Sequence, residues 1–165
     1  MSLVTNLDLT LRGDFQSALD LVTVKAPLSL SKSDELTNGT GAVDTADMVW
    51  SDTRTLATTS ENLDLAGSLT NAFGATMTFA RIKSILIHNK STTVGQTITV
   101  GGAASNPFLL FADSTDKYVI GPNGIFLIWE PSAAAKVVTA ATGDILKIES
   151  SASITYDIVI VGSSA

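Results

Sequence analysis

The chain carries one histidine, no cysteine and sixteen carboxylates, twelve of them aspartate. Without cysteine there is no disulfide framework, no zinc–thiolate site and no thiol nucleophile. His88 follows the apolar run Ile82–Ile87, and acyl-transfer chemistry there would need a hydroxyl beside it and an acid behind it. Serine and threonine make up 39 of 165 residues, so a hydroxyl nearby in sequence carries no information. We read His88 as a packed or solvated residue at a strand end. In Asp113-Ser-Thr-Asp116 two carboxylates could be offered to Ca²⁺ from one loop, but a solvated turn is the strongly preferred reading. Glu130 and Glu149 are the glutamates available to a glycosidase-like pair in residues 65–165, and each sits where a strand stops. The glycines at 101–102 and 121–124 lack the lysine and following helix of a phosphate loop. The expectation is a protein without enzyme activity, cofactor or metal site.

Contact chemistry is the better prospect. Phe73 lies in the tight turn Asn71-Ala-Phe-Gly74, where a side chain points into solvent unless something covers it. Phe108 follows the turn Ser105-Asn-Pro107, and Trp50 and Arg54 sit among Asp44, Asp47 and Asp52. These seven residues (Asp44, Asp47, Trp50, Asp52, Arg54, Phe73 and Phe108) are the candidate interface. The sequons at Asn38 and Asn89 are expected to be chance matches in a Thr/Ser-rich chain.

The elements that must position these groups are strands. Leu7, Leu9 and Leu11 alternate with polar residues at the period of a half-buried strand. Ile98/Val100, Leu146/Ile148 and Ile154/Tyr156/Ile158/Ile160 repeat the pattern. The runs Ile82–Ile87 and Ile125–Trp129 are apolar on both faces, which suits a central strand or one between two layers; Trp129 is expected in the core. Thr76–Phe79, Phe108–Phe111, Lys117–Ile120 and Ala46–Leu56 read as further strands. Gly121-Pro-Asn-Gly124 reads as the turn of a hairpin. Parity breaks between Met77/Phe79 and Ile85/Ile87, which predicts a bulge or bend near Arg81–Ser84. Phe15, Leu19 and Val22 stand at helical spacing after Asp14, while Leu19, Leu21 and Thr23 also fit a strand, and Lys32–Val43 reads as an exposed loop. Seven or eight strands in residues 65–165 and no credible long helix predict an all-β fold, a β-sandwich of jelly-roll or immunoglobulin-like type.

The net charge of −6 is lopsided. Residues 1–64 hold ten acidic and four basic side chains, and residues 65–165 hold six of each. We therefore divide the chain into an acidic N-terminal arm or segment, 1–55, and a sandwich body, 56–165. An acidic balance argues against a nucleic-acid partner, because it repels phosphate. No signal-peptide pattern and no apolar run of membrane-spanning length are present, so synthesis in a reducing cytoplasm and no membrane partner are expected.

The stretches DLAGSLTNAFGATMTFARIK (64–83), ITVGGAASNPF, GPNGIFLIWEP, VTAATGDILKI and ITYDIVIVGSSA, with the early LDLTL, APLSL and DTRTLA, resemble a group of small virion structural proteins of tailed bacteriophages. The similarity runs over most of the chain and is best in residues 56–165. It implies a capsid decoration or cement protein with a jelly-roll fold, made in the host cytoplasm and located in the virion. Its partners would be the major capsid protein and other copies of itself, with a trimer as one form the homo-oligomer could take. A tail or baseplate component that binds a receptor, and a sandwich-fold carbohydrate enzyme, are the alternatives from other classes.

Overall fold

The computed structural model describes residues 2–57 and 59–165, and the protein is all-β, with no helix among the described residues. Among the described residues twelve strands form three sheets. A ribbon opens the chain: β1 (Thr5–Ala18) and β2 (Thr23–Asn38) pair antiparallel over fourteen positions, and β2 then meets the short β3 (Thr45–Ala46) in parallel. The second sheet contains β4 (Met48–Ala57), β6 (Arg81–Asn89), β9 (Ile125–Trp129), β10 (Lys136–Val137) and β12 (Ser153–Ser163). Its order is β10-β6-β12-β4, with β9 also on β6. The third contains β5 (Ser60–Asp64), β7 (Ile98–Gly101), β8 (Lys117–Ile120) and β11 (Ile145–Ser150), in the order β5-β11-β7-β8.

One core joins the second and third sheets. Ile154, Tyr156, Ile158 and Ile160 of β12 turn inward together because they share one parity, and none is more than 2% exposed. They meet Leu146 and Ile148 of β11 and Ile98 and Val100 of β7, all fully buried. Each such side chain contributes about 1.5–3 kcal/mol relative to leaving it in water. β6 lies between β12 and β9, and its residues from Ile82 to Ile87 are buried except Leu86, which is half-buried. That is the central position its two-sided apolar run calls for.

The parity break has the expected cause. Val161 pairs with Ser84 but Gly162 pairs with Ile82, so Lys83 is the extra residue of a bulge. Gly162 sits where no side chain fits: a Cβ there would lie 2.2 Å from the Arg81 carbonyl oxygen and 2.8 Å from Phe79.

Four expectations are corrected. Gly121–Gly124 does make a turn, with Asn123 at φ 54°, but it closes no hairpin. β8 pairs with β7 and β9 with β6, so the turn carries the chain from one sheet to the other. Asn89 fixes that crossing: its buried amide donates to the carbonyls of Gln96 (3.0 Å), Ile120 (3.3 Å) and Gly121 (2.9 Å). Phe108–Phe111 and Thr76–Phe79 are not strands but connections with single bridges at Pro107 and Thr76, and Phe108, Leu110, Met77 and Phe79 still enter the core from them. Lys32–Asn38 is strand rather than loop, because it is the return limb of the ribbon. Trp129 packs outside the main core, against Leu36, Ala46 and Val161 on the outer side of the second sheet.

Candidate assembly surface

The ribbon β1–β2 is the most unusual part of the molecule. Cross-strand partners share a face, so the register puts Leu7/Asp34, Leu9/Lys32, Leu11/Leu30, Gly13/Leu28, Phe15/Ala26 and Ser17/Val24 on one side. Asp8/Ser33, Thr10/Ser31, Arg12/Ser29, Asp14/Pro27 and Gln16/Lys25 occupy the other. The alternation that suggests a half-buried strand is real, but its apolar side is bare. Leu9, Leu11, Leu28 and Leu30 are 50–60% exposed and Phe15 is 79% exposed. From Leu9 to the turn, the ribbon runs free for roughly 30 Å at about 3.4 Å per residue.

The root of this arm is held firmly. Leu36 is fully buried on Val161 and Trp129. Trp129 Nε1–H donates to Asp34 Oδ2 at 3.0 Å, and Lys32 Nζ lies 3.1 Å from the same oxygen. The indole bond, then Lys32, hold the Asp34 carboxyl below the usual aspartate range. Lys83, thrown inward by the bulge, has no exposed surface, and its ammonium donates to the carbonyls of Ala42 (3.1 Å) and Ser132. Burial, then the neighbouring Arg81, push its pKa down, with Asp44 and Glu130 opposing. Lys83 thus ties the loop after β2 and the loop after β9 to the body.

A second feature lies along β4, which ends the order of the second sheet. A cleft of about 540 Å³ is lined by Asp47, Met48, Trp50, Asp52, Phe73 and Met77, among others. Phe73 is 75% exposed at the tip of a hydrogen-bonded turn. Asn71 Oδ1 accepts from the backbone N–H of Phe73 (2.9 Å) and Ala75 (3.0 Å), and Gly74 takes φ 81°. Asp47 is engaged with Ser164 through both carboxylate oxygens. Asp52 and Arg54 form an ion pair at 2.8 Å, and Arg54 also holds Glu61 of β5. Tyr156 O–H donates to Glu61 at 2.6 Å, so this network crosses from one sheet to the other. The Glu61 carboxylate raises the Arg54 pKa, and burial followed by Glu61 raises that of Tyr156.

Of the seven sequence candidates, Asp47, Trp50, Asp52 and Phe73 line this cleft and Arg54 stands beside it through Asp52. Trp50 contributes a mostly buried wall, at 5% exposure. Asp44 lies elsewhere, at φ 54° in the loop between β2 and β3, with its N–H on Pro131. Phe108 is 4% exposed and belongs to the main core. Sequence reasoning missed the arm face, Lys83 and Asn89. The first signal was visible in the alternation from Leu7 to Phe15; the other two look like ordinary polar residues in an apolar run.

The groups considered for catalysis are engaged locally. His88 Nδ1 is 3.7 Å from Asp157 Oδ2 and its Nε2 is 3.3 Å from Asn123 Oδ1. The Thr53 hydroxyl donates to Asp157 (2.6 Å) rather than to the imidazole, so no nucleophile–base pair forms there. Asp113 Oδ1 accepts from the N–H and the hydroxyl of Thr115, and Asp116 accepts from the N–H of Asp113, closing a turn. Glu130 follows β9 and Glu149 lies on β11, in different sheets. Asn89, one of the two sequon residues, is fully buried.

No protein-family model, curated protein or solved structure matches this chain.

Proposed function

We propose that this chain is a structural virion protein of a tailed phage, a capsid decoration or cement protein that binds the outer head surface and stabilises it. The observation that carries the reading is the projecting arm. An isolated two-stranded ribbon is marginal in water, and one with a bare leucine-rich face is built to be covered by an assembly. The resemblance of the sequence to small phage virion proteins supplies the setting, and a jelly-roll arrangement of the two body sheets fits it.

The charge distribution supports the same reading. Residues 5–38 hold five acidic and three basic side chains, whereas 39–64 hold Asp44, Asp47, Asp52, Glu61 and Asp64 against Arg54 alone. The acidic excess therefore lies mainly along β3 to β5, where it can face a basic strip of the major capsid protein and set register. An acidic edge toward the shell and an apolar arm toward a neighbouring copy together give avidity on a repeating lattice. Location in the virion after synthesis in the host cytoplasm follows from this role.

The cleft beside Phe73 favours a second reading, a tail or baseplate component in which that cleft engages a receptor. The experiment is to add purified protein to undecorated heads and measure bound copies per particle. The decoration reading expects saturable binding at a copy number commensurate with the capsid lattice. Absence of binding to heads, together with glycan-array binding that Phe73→Ser abolishes, would replace it with the second reading.

A further inference from the structure

We infer that the bare face of the arm is covered by the same face of a second copy of this chain, so that two arms pack face to face about a two-fold axis. The inference extends the assembly reading by naming the arm's own partner.

Area is the first argument. Leu9, Leu11, Phe15, Val24, Leu28 and Leu30 are each half to four-fifths exposed. Together they expose several hundred Å² on one side of each arm, on the scale of the ~800 Å² per partner of a standard-size interface. One arm laid on another therefore supplies a large share of what a specific dimer needs, before any contact between bodies.

Shape is the second. The large side chains change strand along the face: Leu11 and Leu30 stand together, then Leu28 stands opposite Gly13, then Phe15 stands opposite Ala26. At Gly13 nothing lies within 4 Å of where a Cβ would be, and its φ is not in the left-handed region, so backbone geometry does not demand glycine there. The result is a hollow beside Leu28 and another over Ala26. A second copy related by a two-fold brings its own Phe15 and Leu28 to such hollows, since an isologous contact places like patches together.

Charge is the third. The face carries only Lys32 and Asp34, and these pair with each other at its root. Covering it strands no lone ion, whereas the opposite face, with Asp8, Arg12, Asp14 and Lys25, is suited to water. The same features disfavour a nucleic acid, which would need unpaired basic groups. Continuity is the fourth argument. The apolar face is already packed at its root, where Leu36 covers Val161 and Trp129, and the bare part is the same stripe carried beyond the body.

The chain has no cysteine, which makes the test clean. The full-length protein is examined by sedimentation velocity across concentration, with Phe15→Asp and Leu30→Asp as face variants and Thr10→Asp and Ser29→Asp as opposite-face controls. A concentration-dependent dimer is expected, weakened roughly 30-fold or more by either face variant and unchanged by the controls. Single-cysteine variants at Leu11, Gly13 and Leu28 should include one that cross-links to itself under mild oxidation, while Thr10→Cys and Ser29→Cys should not. A monomer at 100-micromolar-scale concentration, or a dimer indifferent to the face variants, would overturn the inference. So would wild-type monomer that floats with phosphatidylcholine–phosphatidylglycerol vesicles and loses flotation in Phe15→Asp. A dimer that fails to bind heads leaves the inference standing and sinks the decoration reading; a monomer that binds heads does the reverse.

Discussion

Replacing Lys83 with Met removes the group that pins the arm root while keeping most of its volume. The cavity contribution is therefore small. The loss is the donor to two carbonyls, those of Ala42 and Ser132. An acceptor left without a partner costs about 1–3 kcal/mol, and relief of the ammonium's own desolvation returns part of the total. Unlike an ion pair replaced at both ends, this site keeps its backbone carbonyls, so an apolar side chain at position 83 leaves both without their donor. The net expectation is a loss of about 2–4 kcal/mol in urea unfolding, a fall in Tm of roughly 5–15 °C for a chain of this size. The pH dependence adds a second readout. Burial lowers the Lys83 pKa below the ordinary 10.5. Between the two values the unfolded chain binds more protons than the folded one, so this group's contribution makes wild-type stability rise with pH there. Lys83→Met should lack that rise. Amide exchange should quicken in 39–47 and 130–135, the two loops the ammonium joins. Lys25→Met, on the exposed polar side of the arm, should stay within about 0.5 kcal/mol of wild type. A Lys83→Met protein as stable as wild type, with unchanged exchange in both loops, would refute the clamp.

Other perturbations follow from the same geometry. Asn89→Ala strips the donor from three carbonyls at the crossing between sheets and should cost about 3 kcal/mol or more by chemical denaturation. Gly162→Ala meets backbone at 2.2 Å, which cannot move aside, and should cost about 2–4 kcal/mol, seen as a lower urea midpoint. Tyr156→Phe leaves Glu61 one hydrogen bond short between the sheets and should cost about 1–3 kcal/mol. Asp157, held below its ordinary 3.8 by the Thr53 hydroxyl and then Lys90, stabilises the fold above that value, and the gain is lost as pH falls through its folded pKa. Asp157→Asn should flatten that part of the acid-unfolding curve.

Much of the body is legible in the sequence because single strands carry their own signal. β12 alternates over seven residues, β6 is apolar on both faces, and the broken parity between Phe79 and Ile85 marks the bulge at Lys83. What is not legible depends on distant groups. The turn residues Asn123-Gly124 serve a hairpin and a crossing between sheets equally well, and the group that decides is Asn89, more than thirty residues earlier. The alternation of Leu7, Leu9 and Leu11 reports an amphipathic ribbon, but alternation is blind to whether anything covers the apolar side. Charge is equally blind to strand pairing. The 55/56 boundary falls inside β4, which pairs with β12 from Met48 to Ala57, while the projecting part ends by Asn38. The gathering of Asp47, Trp50, Asp52 and Phe73 at one cleft follows from β4 supplying Trp50 and Asp52 and the residue just before it supplying Asp47, and Phe108 left that group because its connection folds into the core.

A density map of tailed-phage heads assembled in the presence of this protein tests the central claim most directly. The account expects the two-sheet body on the outside of the head in lattice-related copies, with the Leu11–Phe15–Leu28 face of each arm buried against protein. Particles without the protein on the head, or arms whose apolar face stands free in solvent on the assembled shell, would contradict it.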